Sequence, residues 1–131
     1  MIRFSTERVL LLHQLMIAQT GGSDGLRDRG LLESAVESIY ASFDGQELYP
    51  SKQEKGARLG YALIANHAFV DGNKRTGMLV MLLTLRLNGR TLRYTQAELV
   101  DLGLGTADGS LGYEEILAWI ISHLDTKNPA G

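Results

Sequence analysis

The chain is predicted to be all-α, and three observations predict it. Apolar residues recur at helical spacing over most of its length. Capping residues and glycines punctuate those runs at their ends. One run, Met78-Leu79-Val80-Met81-Leu82-Leu83, is apolar on every face of a helix. Such a helix needs neighbours all round, which places it at the centre of a compact bundle of about six helices. At 131 residues the chain makes a single domain, at roughly 150 residues per domain, spanning 1–126 with a frayed tail over 127–131.

Each element has its own signal. Thr6 to Gln19 carries Val9, Leu12, Leu15, Met16 and Ile17 at helical spacing and stops at Thr20-Gly21-Gly22. Arg3 and Arg8 precede Val9-Leu10-Leu11-Leu12 as in a secretion signal. Glu7, His13 and Gln14 break that pattern and no small-residue cleavage site follows, so the segment reads as an amphipathic first helix. Asp28 caps a second helix through Leu31, Leu32, Ala35, Val36, Ile39 and Tyr40. Residues 41–50 contain the turn pair Asp44-Gly45 and end at Tyr49-Pro50, giving a short hairpin or an irregular loop. Ser51 and Glu54 stand in capping-box spacing before a third helix with Ala57, Leu59, Tyr61, Leu63 and Ile64. The fourth begins near Asn73 or Lys74, holds the apolar run, and ends at Leu87 before Asn88-Gly89. Two more helices follow, Thr95 to about Leu102 and Tyr113 to about Leu124. The second turns Ile116, Trp119 and Ile120 inward, and glycine-rich 103–112 links the two.

Composition excludes several functions. With no cysteine there are no disulfides, thiolate zinc sites or cysteine nucleophiles. His13, His67 and His123 are far apart along the chain. Thirteen basic against fifteen acidic residues leave a net charge of −2, unsuited to gripping a phosphate backbone, so no nucleic-acid partner is expected. The longest apolar run falls far short of the ~20 residues of a membrane span. A cytoplasmic protein is expected.

Chemistry concentrates between the third and fourth helices, in Asn66-His67-Ala68-Phe69-Val70-Asp71-Gly72-Asn73-Lys74-Arg75-Thr76-Gly77. The first N–H groups of a helix lack intrahelical partners and carry partial positive charge. Lys74 and Arg75 add two cations in that first turn, where acidic residues are the stabilising choice. A bound anion resolves the conflict, and a phosphate-bearing ligand fits best. Gly72 lets a ligand approach the backbone. Asp71 is a lone carboxylate suited to Mg²⁺, which takes one or two protein carboxylates plus phosphate oxygens. His67 can accept a hydroxyl proton at neutral pH, and Phe69 is an apolar peg pinning the loop. Taken singly these residues have plainer readings: Asp71-Gly72-Asn73 as a turn and helix cap, Lys74-Arg75 as a solvated pair, His67 as a helix-end residue. Their concentration in nine residues favours the functional reading.

Along these nine residues, His67-x-Phe69-x-Asp71-Gly72-Asn73-Lys74-Arg75 resembles the signature of the Fic/Doc superfamily, specifically its Doc (death-on-curing) toxin branch, with seven positions of nine matched. Arg27-Asp28-x-Gly30-Leu31-Leu32-Glu33-Ser34-Ala35, Tyr49-Pro50 and Leu87-Asn88-Gly89 are also similar to Doc-like chains. The resemblance implies the all-α Fic/Doc bundle. Fic enzymes that transfer AMP usually read HxFx(D/E)GNGRxxR; here Lys74 replaces the second glycine and Met78 the final arginine, while Gly72 is the Fic-like choice where Doc proteins carry alanine.

In the Doc branch such variation goes with ATP bound in the opposite sense, so that the γ-phosphoryl group is transferred. The resemblance therefore implies the toxin of a type II toxin–antitoxin system: a Mg-ATP-dependent protein kinase acting on a Thr or Ser hydroxyl of elongation factor Tu and arresting translation. The alternative is a Fic-type AMP transferase. By the same resemblance His67 is catalytic, Asp71 binds the metal, and Gly72, Asn73, Lys74 and Arg75 hold nucleotide phosphates. Residues 41–50 lie where Fic-like folds carry a target-docking flap. Self-restraining Fic proteins carry (S/T)xxxE(G/N); Ser110-x-x-x-Glu114-Glu115 fails its last position, so inhibition is expected in trans from a Phd-like antitoxin.

Overall fold

The computed structural model describes residues 1–125; the expected frayed tail lies outside them. In chain order the elements are α1 (Thr6–Thr20), α2 (Arg29–Glu37), a 3-10 turn (Ser38–Tyr40), β1 (Ser42–Phe43), β2 (Gln46–Glu47), α3 (Lys52–Ala65), α4 (Asn73–Leu87), α5 (Gln96–Asp108) and α6 (Tyr113–Ser122). The described residues form a six-helix bundle with one two-stranded hairpin.

α3 and α4 form its centre, antiparallel and unusually close. Gly56 lies against Leu85, Gly60 against Met81, and Gly77 against Ile64; a Cβ there would come within 2.7, 2.9 and 2.6 Å of those side chains respectively. A helical glycine costs roughly 1 kcal/mol relative to alanine, and here the close interlock of the helices offsets it. Around this pair the core splits in two. Val9, Leu32, Val36, Leu63, Phe69 and Val80 fill one cluster under α1 and α2. Ile64, Met78, Met81, Leu85, Ile116 and Ile120 fill the other, toward α5 and α6.

The structure refines the sequence expectations where local pattern and packing compete. α2 stops at Glu37, where Ser38 Oγ donates to the Ala35 carbonyl at 2.7 Å and the chain tightens into the 3-10 turn. Residues 41–50 form the hairpin, Ser42 opposite Glu47 and Phe43 opposite Gln46. Asp44 and Gly45 both have positive φ, 52° and 78°, as a tight hairpin turn requires.

α5 runs past Leu102 to Asp108, through two glycines that sequence reading placed in a linker. Gly105 is helical because Leu111 occupies the space of its missing side chain, and Gly103 faces Met78. α6 ends at Ser122, and Leu124 forms an antiparallel bridge with Leu92 instead.

α4 is covered by α3, α1 and α5 but not all round. Leu79, Leu82 and Leu83 stay half-buried along a groove of about 690 Å³ between α1 and α5, and Lys74 and Arg75 also line it. No helix among the described residues is long and apolar enough to cross a membrane.

Beyond α6, His123 ties its end to the start of α5. Its Nδ1–H donates to the Trp119 carbonyl at 2.7 Å, Nε2 faces Glu98 Oε2 at 2.6 Å, and the ring stacks on Trp119. The Glu98 hydrogen bond raises the His123 pKa above its ordinary 6.5, and His123 first, then Thr95, draws Glu98 from 4.5 down to about 2. A raised histidine stabilises the fold fully below its unfolded value and ceases to do so as pH rises through the folded one. The lowered carboxylate contributes above about 4.5 and loses its effect as pH falls toward 2. The Tm advantage of the wild type over Glu98→Gln is therefore expected to be largest between about pH 4.5 and 6.5 and to shrink above the raised His123 value, as thermal melts across pH will show.

Candidate active site

The loop joining α3 to α4 is held from three directions. Ahead of it, α3 ends at Ala65, with Asn66 as C-cap and His67 in a left-handed conformation, φ 51°. The end carbonyls of α3 carry partial negative charge, and Arg27 meets them: Nε donates to His67 O at 2.7 Å and Nη2 to Asn66 O at 3.3 Å. Asn66 in turn donates from Nδ2 to Leu31 O on α2.

The next residues run extended beside 25–28. Arg27 and Asp28 N–H groups donate to Ala68 O, Val70 N–H donates to Gly25 O, and Leu26 bridges Phe69.

Beneath, Phe69 is fully buried, its ring stacked on that of His13 at 3.8 Å and 6° between planes. His13 is itself only 2% exposed, and its Nε2–H donates to Asp71 O at 2.8 Å. From the far side, Asn73 brackets the Phe69 peptide: Oδ1 accepts from Phe69 N–H and Nδ2 donates to Phe69 O, both at 3.0 Å.

The expected site residues separate into those that face outward and those that shape the loop. His67 is exposed at the end of α3. Asp71 has a half-exposed side chain; Oδ1 accepts from Gly72 N–H at 2.8 Å and Oδ2 from Ser23 N–H at 3.2 Å. Ser23 first, then Gly72, hold its pKa below the ordinary 3.8, so the carboxylate stays ionised at neutral pH. Lys74 is exposed and has no ion-pair partner among the described residues. Arg75 turns to the end of α1, Nη1 donating to Thr20 Oγ1 at 2.7 Å and to Gly21 O at 2.9 Å.

Two expectations are corrected in detail. The Asn73 side chain is spent on the Phe69 backbone, so Asn73 can offer an anion only its backbone N–H. Gly72 is not an open approach for a ligand: it is buried, with φ 80°, and a Cβ there would meet Met16 Cε at 2.9 Å. Its N–H faces Asp71, so its contribution is shape, a left-handed turn pressed against α1.

His13, Thr20, Asn66 and Arg27 also hold this joint, beyond the residues the sequence pattern points to. His13 carried a readable signal, since it stands at helical spacing between Val9 and Met16, both buried. The other three act through backbone carbonyls or one guanidinium across long sequence separations, which leaves no local pattern.

Chemically, the joint presents an accessible imidazole, an ionised carboxylate, and a helix N-terminus flanked by cations. The N–H groups of Asn73, Lys74 and Arg75 lie in the first turn, where intrahelical acceptors are lacking. No group of three or more potential metal-ligating side chains exists among the described residues. A lone ionised carboxylate beside an anion cradle still fits Mg²⁺, which fills most of its shell with phosphate oxygens and water.

This joint inside an all-α bundle defines a Fic-type fold, and comparison with known proteins agrees. The chain matches the Fic/DOC family over residues 3–85. It is 44% identical over 69 residues to "Toxin Doc" of Mycolicibacterium smegmatis, covering 53% of this chain and 53% of that protein, so this match spans about half the relative's length. It is 32% identical over 116 residues to "Protein kinase doc" of Escherichia phage P1, covering 88% of this chain and 90% of that protein. The chain belongs to the Fic/DOC family. Within it, both relatives place it in the Doc branch.

Replacing Asn73 by alanine leaves the N–H and C=O of the buried Phe69 peptide without partners. At roughly 1–3 kcal/mol for each such group, Asn73→Ala is expected to lower unfolding free energy by about 2–6 kcal/mol, measured by urea denaturation.

Proposed function

We propose that this chain is the toxin of a toxin–antitoxin pair: a kinase that transfers the γ-phosphoryl group of ATP to a threonine or serine hydroxyl of elongation factor Tu in the bacterial cytoplasm, arresting translation. The observation that carries this reading is the unpaired Lys74 at the N-terminus of α4, one loop from an exposed His67 and beside an ionised Asp71. The phage relative's name, a protein kinase, supports the same chemistry.

In this mechanism His67 takes the acceptor hydroxyl's proton as the oxygen attacks. Lys74, the free edge of Arg75 and the first N–H groups of α4 hold the phosphate oxygens and stabilise charge on the transferring group. Because that transition state is loose, positioning and electrostatics carry most of the catalysis. Asp71 would hold Mg²⁺, which when bound neutralises phosphate charge. Asn73 and Phe69 keep the cradle and the imidazole in register. The β1–β2 hairpin, with Phe43 77% exposed, is the element we assign to docking the target by strand addition.

The antitoxin in this reading is a Phd-like partner acting in trans. The groove between α1 and α5 suits it: apolar along its floor and open to solvent, it would accept an apolar segment that folds on binding, and Lys74 and Arg75 at its edge would bring that segment next to the phosphate cradle.

Incubation with Mg-ATP and elongation factor Tu, read by intact mass, tests the activity. One added phosphoryl group is expected; a nucleotidyl adduct would replace the kinase by an AMP transferase, and an unchanged mass would refute both. His67→Ala is expected to slow transfer about 10²–10⁴-fold, the usual range for a lost general base, with an unaltered melting temperature because His67 is exposed.

A further inference from the structure

We infer that Thr20, at the C-terminal end of α1, is a positioning residue for nucleotide binding, because it sets the direction in which Arg75 presents its charge. The inference rests on the reading of Arg75 as a phosphate ligand and adds what holds it in place.

The geometry is specific. Thr20 Oγ1 donates its own proton to Met16 O at 2.8 Å and accepts from Arg75 Nη1 at 2.7 Å. The first bond fixes the hydroxyl rotor, so the lone pair that Arg75 meets has a set direction. The second proton of Nη1 goes to Gly21 O at 2.9 Å. Both protons of Nη1 are thereby committed to the end of α1, whose carbonyls carry partial negative charge.

The opposite edge of the guanidinium, Nε and Nη2, makes no hydrogen bond among the described residues; Nη2 stands 3.8 Å from Asp71 Oδ1, too far for one. That edge is the fork that binds phosphate or carboxylate in bidentate fashion. A long arginine side chain left unheld would sample many rotamers and lose entropy on binding. Here two acceptors on α1 hold it beforehand, with its fork free. Space is tight on this side: at Gly22 a Cβ would lie 3.0 Å from Arg75 Nη2 and 2.5 Å from Asp71 Oδ2.

The test is MgATP binding by calorimetry to the full chain, with melting temperature measured alongside. Thr20→Val keeps the shape but removes both hydrogen bonds; it is expected to weaken MgATP about tenfold, the scale of one hydrogen bond to a charged group. Thr20→Ser is expected to bind within about twofold of wild type, by the same bookkeeping. Arg75→Gln should weaken binding more, and adding Thr20→Val to it should change nothing further, since Thr20 acts only through Arg75.

Nitrogen-15 spectra supply a second readout: the Arg75 Nη1 protons should show slowed rotation in the wild type and lose it in Thr20→Val. If Arg75→Gln weakens MgATP while Thr20→Val does not, the positioning role is overturned and the phosphate reading stands. If Arg75→Gln binds MgATP as wild type does, the phosphate reading fails and the inference fails with it. An additive loss in the double variant would also overturn it, by showing that Thr20 acts independently of Arg75.

Discussion

The constraint on which the rest of this structure depends is the grip of Asn73 on the Phe69 peptide. A loop passing between two buried helices carries backbone groups that neither helix can satisfy, and leaving them dry and unpaired would be costly. One amide side chain answers both groups of Phe69 at 3.0 Å. With that peptide held, the Phe69 ring drops against His13, and His13 reaches Asp71 O. The loop between is short, so its remaining residues have little freedom. His67 is left on one side and the start of α4 on the other, which is the arrangement any reaction at this joint would need.

The same residues explain why α4 tolerates two cations in its first turn. By the local rule alone Lys74 and Arg75 are equivalent violations of the helix dipole, both calling for an anion. The fold separates them. Arg75 is drawn to the carbonyl end of α1, where its charge is favourable without any ligand. Lys74 has no such outlet, so it is chiefly the Lys74 charge that calls for a bound anion. The conflict with the local rule that marks a functional site is therefore narrower than it first looked, and better localised.

Glycine plays a second organising role. Gly56, Gly60 and Gly77 bring α3 and α4 together along their length, and this contact sets the angle at which the loop must turn. Gly105 lets Leu111 fold back on α5, extending that helix beyond the point where glycine content suggested a linker. In both places glycine serves packing inside helices rather than flexibility between them. Gly72 alone among the site residues is required by its backbone conformation as well as by space.

What the sequence by itself determined was the set of elements and the address of the chemistry. Capping residues at Ser51 and Asp28, the apolar spacing of six helices and the nine residues from His67 to Arg75 are all local patterns, because a helix and its caps are governed by neighbours three or four positions away. Tertiary structure alone decided which way each polar group points. Arg27 with the α3 carbonyls, Thr20 with Arg75, His13 with Phe69 and the half-open side of α4 all join residues far apart along the chain. Their partners are chosen by packing, and only packing can tell a guanidinium facing a phosphate from one already held by a carbonyl.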